Sequence, residues 1–335
     1  MSGRPLISVV VPTRDRVGPL HDTIRALRDQ TLGVSDYEII VVDDGSTPPI
    51  VLECSDSEPR CILIRLEGRE RSATRNVGAR AAWGGIVVFV DDDISVATDF
   101  LEAHLFAQNE WPDAIVVGSI RLPVAVLERP FGRFRQALEL QGVPQSRGTG
   151  CARNFCTAAN MSMSRKRFLD LGGFDESLVT AEDQDLALRH SERGGLIAFV
   201  PEAAAVHRDE AVDVRRYCRR SEWGSERIVA FCERHGEWPD NVARDRVNGP
   251  IRWRHEPLRW SARKMLKGVI AVPAAVEVLF CAAAVLERSA PDSRVLQRVY
   301  RLLLGAHVFR GYRRGLGRGK GALAGSRSMV AAGRG

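Results

Sequence analysis

The sequence contains no Cys-x-x-Cys pair; its seven cysteines stand at 54, 61, 151, 156, 218, 232 and 281. Scattered spacing of that kind excludes a zinc ribbon and suits reduced thiols in a reducing compartment. The first apolar run, Leu6–Val11, passes into Pro12-Thr13-Arg14-Asp15-Arg16 with no glycine before Gly18. The glycine fingerprint that lets a backbone approach a dinucleotide pyrophosphate is therefore missing, as is the GxxxxGK[ST] phosphate loop. Leu6–Val11 is also too short for a signal-peptide core, and no cleavage pattern follows it, so export by that route is not expected. Nothing repeats at a fixed period.

What is present suits a large folded body with an appendage. Apolar residues make up 44% of 335, enough to bury a sizeable core and to exclude wholesale disorder. The net charge of +6 hides a division. Residues 1–240 hold 29 Lys+Arg against 37 Asp+Glu, whereas residues 241–335 hold 19 against 5. An acidic body with a basic tail points to a polyanionic surface as partner. Near Asn241 the composition shifts to Arg, Trp and Ala. This predicts a body over 1–240, a helical basic extension over 241–320 and a disordered tail over 321–335.

Within the body, β-rich runs alternate with helical periodicity. Strands are expected at Leu6–Val11, Tyr37–Val42, Cys61–Leu66 and Ile86–Val90, then at Ala114–Ile120, Ala158–Met163 and Leu196–Val200, the last ended by Pro201. Helices are expected around Leu20–Leu27, at Ser72–Trp83, Phe100–Gln108, Arg129–Leu140 and Glu182–Arg193. The Gly- and Ser-rich Gln141–Gly150 reads as a mobile loop. The alternation implies an α/β fold, a Rossmann-like, mostly parallel sheet flanked by helices. Ligands in such sheets bind beyond the carboxyl ends of the strands, where polar residues gather here.

Three of those ends carry chemistry. Asp91-Asp92-Asp93 places three carboxylates together, an arrangement that a hard divalent cation, Mg²⁺ or Mn²⁺, relieves while it neutralises a diphosphate leaving group. Helix capping is the plainer alternative for Asp93. Asp43-Asp44-Gly45-Ser46 offers carboxylates to a base or ribose; an Asx turn with positive φ at Gly45 is compatible with that. Glu182-Asp183 opens a helix, where acidic residues favour the dipole, but a carboxylate there also suits a general base. His207 follows an apolar run and is either structural or a further metal ligand.

Taken in order, six pieces resemble family 2 glycosyltransferases with the nucleotide-diphospho-sugar transferase (GT-A) fold. They are Val9-Val10-Val11-Pro12-Thr13, Val42-Asp43-Asp44-Gly45-Ser46, Arg75-Asn76-Val77-Gly78, Phe89-Val90-Asp91-Asp92-Asp93, Gly172-Gly173-Phe174-Asp175-Glu176 and Glu182-Asp183-Gln184-Asp185-Leu186. The resemblance covers about residues 6–207. It implies that Pro12 and Thr13 line a nucleotide pocket and that Asp43, Asp44 and Arg75 approach the nucleotide. Asp91 and Asp93 then form the DxD motif, with Asp91 toward ribose or metal, Asp92 on the nucleotide side, and Asp93 and His207 on the metal. Asp183 becomes the catalytic base, and Gln141–Phe155 a substrate-covering segment. The implied reaction is inverting transfer from a UDP-, GDP- or dTDP-sugar to a glycan or lipid-linked acceptor. The Gln-x-x-Arg-Trp motif of processive members is missing: neither Arg252-Trp253 nor Arg259-Trp260 has the Gln. A non-processive enzyme of cell-surface glycan or glycolipid synthesis is therefore expected.

The tail adds an apolar run, Gly268–Leu286, interrupted by Pro273 and Glu277 and preceded by Arg263, Lys264 and Lys267. It reads as an interfacial or re-entrant helix pair on an anionic leaflet, a core helix or a span. The first reading places the protein in the cytoplasm, peripheral on the inner face of the cell membrane. Nucleic-acid binding by the basic tail is the rival class, and no recognition motif supports it. A sugar-1-phosphate nucleotidyltransferase is a further alternative. Its GGxGxR loop is replaced here by Pro12-Thr13-Arg14-Asp15.

Overall fold

The computed structural model describes residues 4–52, 59–209, 213–236 and 239–332. Contacts divide the chain into two units, 1–126 with 136–210 and 127–135 with 211–335. The first is built on β1 (Ile7–Thr13), α1 (Val17–Arg28), β2 (Tyr37–Asp43), β3 (Arg60–Arg65), α2 (Arg71–Ala81), β4 (Ile86–Val90) and β5 (Ile94–Val96). It continues with α3 (Phe100–Glu110), β6 (Ile115–Arg121) and the short α4 (Val124–Leu127). After α5 (Pro130–Glu139) come β7 (Gly148–Thr149), β8 (Asn160–Ser164), α6 (Arg165–Asp170), α7 (Glu182–Glu192) and β9 (Ile197–His207).

The β-branched runs are buried along their length because helices cover both faces of the sheet. Ile7, Val9 and Val11 of β1 pack with Leu20 and Ile24 of α1 and with Phe100 of α3. Val10 points the other way and joins Ala79 of α2, Phe168 of α6 and Leu186 of α7. The strand order is β3-β2-β1-β4-β8-β6-β9-β5, with β7 on β9. The β3-β2-β1-β4 half is wholly parallel, as the alternation implies. The other half is mixed: β8 runs antiparallel to β4 and β6, and only β6–β9 is parallel. Pairing by register places Thr13 opposite Asp43, so those two strand ends share one edge.

Two local expectations change. Pro201 does not end the last strand, since β9 continues to His207. The register against β6 jumps from Gly118–Val200 to Ser119–Ala204, and Pro201 falls in that irregularity, where its missing N–H costs no ladder bond. The segment read as a mobile loop is in part tied down, with Gly148 and Thr149 pairing with Phe199 and Ala198 of β9.

The second unit is helical: α8 (Val214–Arg234), α9 (Pro239–Asn248), α10 (Leu258–Ile270), α11 (Pro273–Ser289) and α12 (Arg294–Ala332). The compositional boundary at 240/241 thus falls inside this unit. The acidic residues of α8 resemble those of the body in composition, yet its apolar face, Val229 and Cys232, packs on Tyr312 and Leu316 of α12. Gly311 and Gly315 permit that approach: a Cβ at either would lie 2.0 or 2.3 Å from the carbonyl oxygen of Glu222 or Glu226. Glu222 also pairs with His307, Arg310 and Arg314. The segment expected to be a disordered tail is continuous with α12 as far as Ala332, and 333–335 lie outside the described residues. The apolar run at 268–286 is broken between α10 and α11, which bend by 78°. Among the described residues no single helix is long and apolar enough to cross a membrane, and only this bent pair passes on length and composition together. Of the cysteines, Cys54 lies outside the described residues and the other six are free thiols.

Candidate active site

Strand ends of the first unit bring the expected carboxylates together. The Thr13 hydroxyl at the end of β1 donates to Asp92 Oδ2 at 2.8 Å. Asp92 is 5% exposed; burial, opposed by Arg16, pushes its pKa up to about 6. Asp93 accepts from Arg16 Nη2 at 2.7 Å and meets His207 Nε2 at 3.1 Å. Burial would raise the Asp93 carboxyl, but His207 and Arg16 hold it far below the usual carboxylate range. The same contact raises His207 against the lowering effect of burial. It depends on the continuation of β9 past Pro201, which pairs His207 with Ile94 immediately after Asp93.

Asp91 faces a different cation. Its Oδ1 accepts from Arg75 Nη2 at 2.6 Å, and Arg75 Nη1 donates to Glu182 Oε1 at 2.9 Å. Arg75 is fully buried and is committed to those two carboxylates. Burial acts to raise Asp91, but Arg75 and Arg71 hold it below its ordinary value. Asp43 and Asp44 order the turn after β2. Asp43 accepts from the Ser46 N–H at 2.9 Å and from Arg65 at 3.1 Å; Asp44 accepts from the Arg69 N–H at 2.5 Å. Pro12 is buried in β1 opposite Val42.

Asp183 stands apart from these carboxylates. It sits in the first turn of α7 and accepts from the Gln184 N–H at 2.8 Å, but it has no ion-pair partner among the described residues. Burial, reinforced by the neighbouring Glu182 carboxylate, pushes its pKa up to about 7. The residue before this turn, Ala181, has φ 63°, a left-handed conformation that L side chains adopt at a cost. It turns α7 so that Glu182 meets Arg75 while Asp183 keeps part of its surface open. Ala152–Phe155 and the buried Cys156 follow β7, and the Ala158 N–H also bonds Asp183.

Two participants escaped the sequence reading. Arg16 bridges Asp92 and Asp93, at 3.0 and 2.7 Å, although an arginine in a polar loop ordinarily reads as solvated charge. Glu182, adjacent to the expected base, is the partner of Arg75 instead of a cap alone. Pro12 and the turn carboxylates Asp43 and Asp44 border the edge carrying the Asp91–Asp93 cluster. Asp93 and His207 adjoin, a hard oxygen and an imidazole that fit a divalent cation, and Asp91 lies on the same turn. Among the described residues no group of three such side chains is already arranged as a metal site.

Residues 8–168 match the model of Glycosyl transferase family 2. An uncharacterized glycosyltransferase of Haemophilus influenzae is 27% identical over 55% of this chain and 61% of its own length. The pre-mycofactocin glycosyltransferase of Mycobacterium tuberculosis is 26% identical over 71% of this chain and 49% of its own. The chain spans between 25% and 61% of the length of the curated relatives it matches first. In fold it is similar to a mannosyltransferase of Pyrobaculum calidifontis in complex with GDP-Man and Mn²⁺, with a TM-score of 0.60 and 18% identity over 93% of this chain and 88% of the other. The segment 8–168 thus matches family 2 glycosyltransferases, and the fold is that of a GT-A glycosyltransferase.

Proposed function

We propose that the chain transfers one sugar, with inversion, from a nucleotide-diphospho-sugar (UDP-, GDP- or dTDP-linked) to a hydroxyl of a glycan or lipid-linked acceptor. The observation that carries this reading is Asp183. It lacks the cation partner that its neighbouring carboxylates have, and its raised pKa suits a base working near neutrality. The acceptor oxygen attacks the anomeric carbon as the bond from that carbon to the β-phosphate oxygen breaks. The acceptor proton passes to Asp183 Oδ, and the nucleoside diphosphate leaves. A divalent cation held by Asp93 and His207, with Asp91 alongside, would supply charge neutralisation for the diphosphate. Asp43 and Asp44 fix the turn after β2, and Pro12 and Thr13 shape the end of β1, so that the nucleotide meets ordered backbone. Arg75 holds Asp91 and Glu182 in place and leaves Asp183 open to the acceptor.

The second unit supports a peripheral position on an anionic membrane surface at the cytoplasmic face. Leu258, Leu266, Val269, Val278 and Val285 of the bent pair are each more than half exposed, on a region rich in arginine. A basic tail alone would also suit nucleic acid; an exposed apolar stripe is better covered by lipid. A panel of nucleotide-sugars with Mn²⁺, read by thermal stabilisation and then by the anomeric configuration of the product, tests the reading. A retained configuration contradicts it.

A further inference from the structure

The helical unit contains a cavity of about 450 Å³ that takes no part in the chemistry above. Its lining brings Arg215, Arg219, Arg310 and His307 beside the apolar Trp223, Val276 and Phe280, with the Arg215 guanidinium 4.0 Å above the Phe280 ring. Most of the charge is already matched. Glu277 binds Arg215 through both carboxylate oxygens, at 2.9 and 2.7 Å, and Glu222 binds His307 and Arg310. Three groups are left over. His307 is 4% exposed, and its Nε2 has no hydrogen-bond partner among the described residues. Arg310 Nε is likewise buried and unpartnered. Arg219 is exposed and has no ion-pair partner among the described residues. The Arg310 Nε–H is a buried donor without an acceptor; His307 donates through Nδ1 to Glu222, so its Nε2 is a buried acceptor without a donor, and such a set is commonly completed by a ligand.

We propose that this cavity binds the phosphate group of an anionic amphiphile, with Arg219 and Arg310 donating to the phosphate, His307 Nε2 accepting from its protonated oxygen, and Trp223, Val276 and Phe280 against its first methylenes. Planar guanidinium groups suit phosphate oxygens. The apolar part of the lining argues against a bare inorganic ion. Two of its residues, Val276 and Phe280, belong to α11, the second half of the bent apolar pair, whose other side exposes Val278 and Val285. The lipid source of the phosphate therefore rests on the membrane reading above, whereas phosphate recognition itself does not.

The test is calorimetric titration of the full chain with a short-chain phosphatidate below its micellar concentration, and separately with inorganic pyrophosphate. Two charge-reversed variants are compared. Arg219→Glu alters the cavity at an exposed, unpaired position, so folding is retained; Arg313→Glu alters an exposed cation of α12 outside the lining. Wild type is expected to bind the phosphatidate more tightly than pyrophosphate, Arg219→Glu to weaken it about tenfold or more, and Arg313→Glu to leave it unchanged. No binding by wild type, or equal weakening by both variants, overturns the site. Equal affinity for pyrophosphate overturns the amphiphile as ligand. Flotation with phosphatidylglycerol vesicles separates the two ideas. Flotation without phosphatidate binding removes this site and leaves the membrane reading standing; binding without flotation does the reverse.

Discussion

Arg75 Nη1 lies 2.9 Å from Glu182 Oε1, and this buried ion pair leaves the next residue, Asp183, without a cation of its own. The same guanidinium holds Asp91 at 2.6 Å, so one side chain on α2 joins the end of β4 to the start of α7. Arg75→Met is expected to strand two carboxylates in a poorly solvated place. Breaking a buried pair from one side costs about 3–5 kcal/mol. Urea unfolding should show a loss of that order, whereas Arg25→Met, at an exposed pair, should change stability by less than about 1 kcal/mol.

Asp183 trades stability for function. Its native pKa is raised from 3.8 to about 7, so the native state holds the proton more tightly than the unfolded chain does. The associated stability is fully present below the unfolded value and is lost as pH rises toward about 7. Asp183→Asn removes that loss. The variant is expected to melt above wild type at pH 8 and close to it at pH 4, as read by differential scanning calorimetry.

The ionised form of Asp183 is the working base. Wild-type kcat/KM is therefore expected to rise with pH through about 7 and then level off. A profile flat from pH 5 to 8 would exclude a base with this raised pKa.

Asp93 and His207 are expected to carry Mn²⁺ affinity directly. Asp93→Asn and His207→Ala should each weaken Mn²⁺ binding about tenfold or more in calorimetry without substrate, while Asp170→Asn, at the exposed pair with Lys166, should not. Unchanged affinity in either of the first two removes that residue from the ligand set.

Gly311 and Gly317 occupy one helix but should respond oppositely. A Cβ at Gly311 meets the Glu222 carbonyl oxygen at 2.0 Å, so Gly311→Ala separates α12 from α8 at a cost of about 1–3 kcal/mol. Nothing lies within 4 Å of a Cβ at Gly317, and Gly317→Ala should stabilise the helix by about 0.5–1 kcal/mol. Thermal unfolding of the two variants decides this.

Much of the first unit could be read from residue pattern. Buried parallel strands announce themselves as runs such as Val9–Val11 and Ile39–Val42, and the polar residues that follow them sit on one edge because the register places Thr13 beside Asp43. Features that depend on long-range partners were not legible. Pro201 looks like a strand end until the irregularity against β6 accommodates it, and only the continued strand carries His207 to Asp93. Arg16 looks like loop charge until two carboxylates close on it. The packing role of Gly311 and Gly315 is invisible until α8 closes on them. The signal for α12 was present as Gly311-x-x-x-Gly315, one helical turn apart, though composition alone cannot assign such a pair to packing.

The most direct test of the central claim is a transfer assay on Asp183→Asn beside wild type, using the nucleotide-sugar that most stabilises wild type, with donor affinity measured in parallel. Donor binding is expected within about twofold of wild type, and transfer is expected to fall by about 10²–10⁴-fold, the size of a lost general base. Turnover near the wild-type rate, with donor bound, would show that Asp183 does not take the acceptor proton.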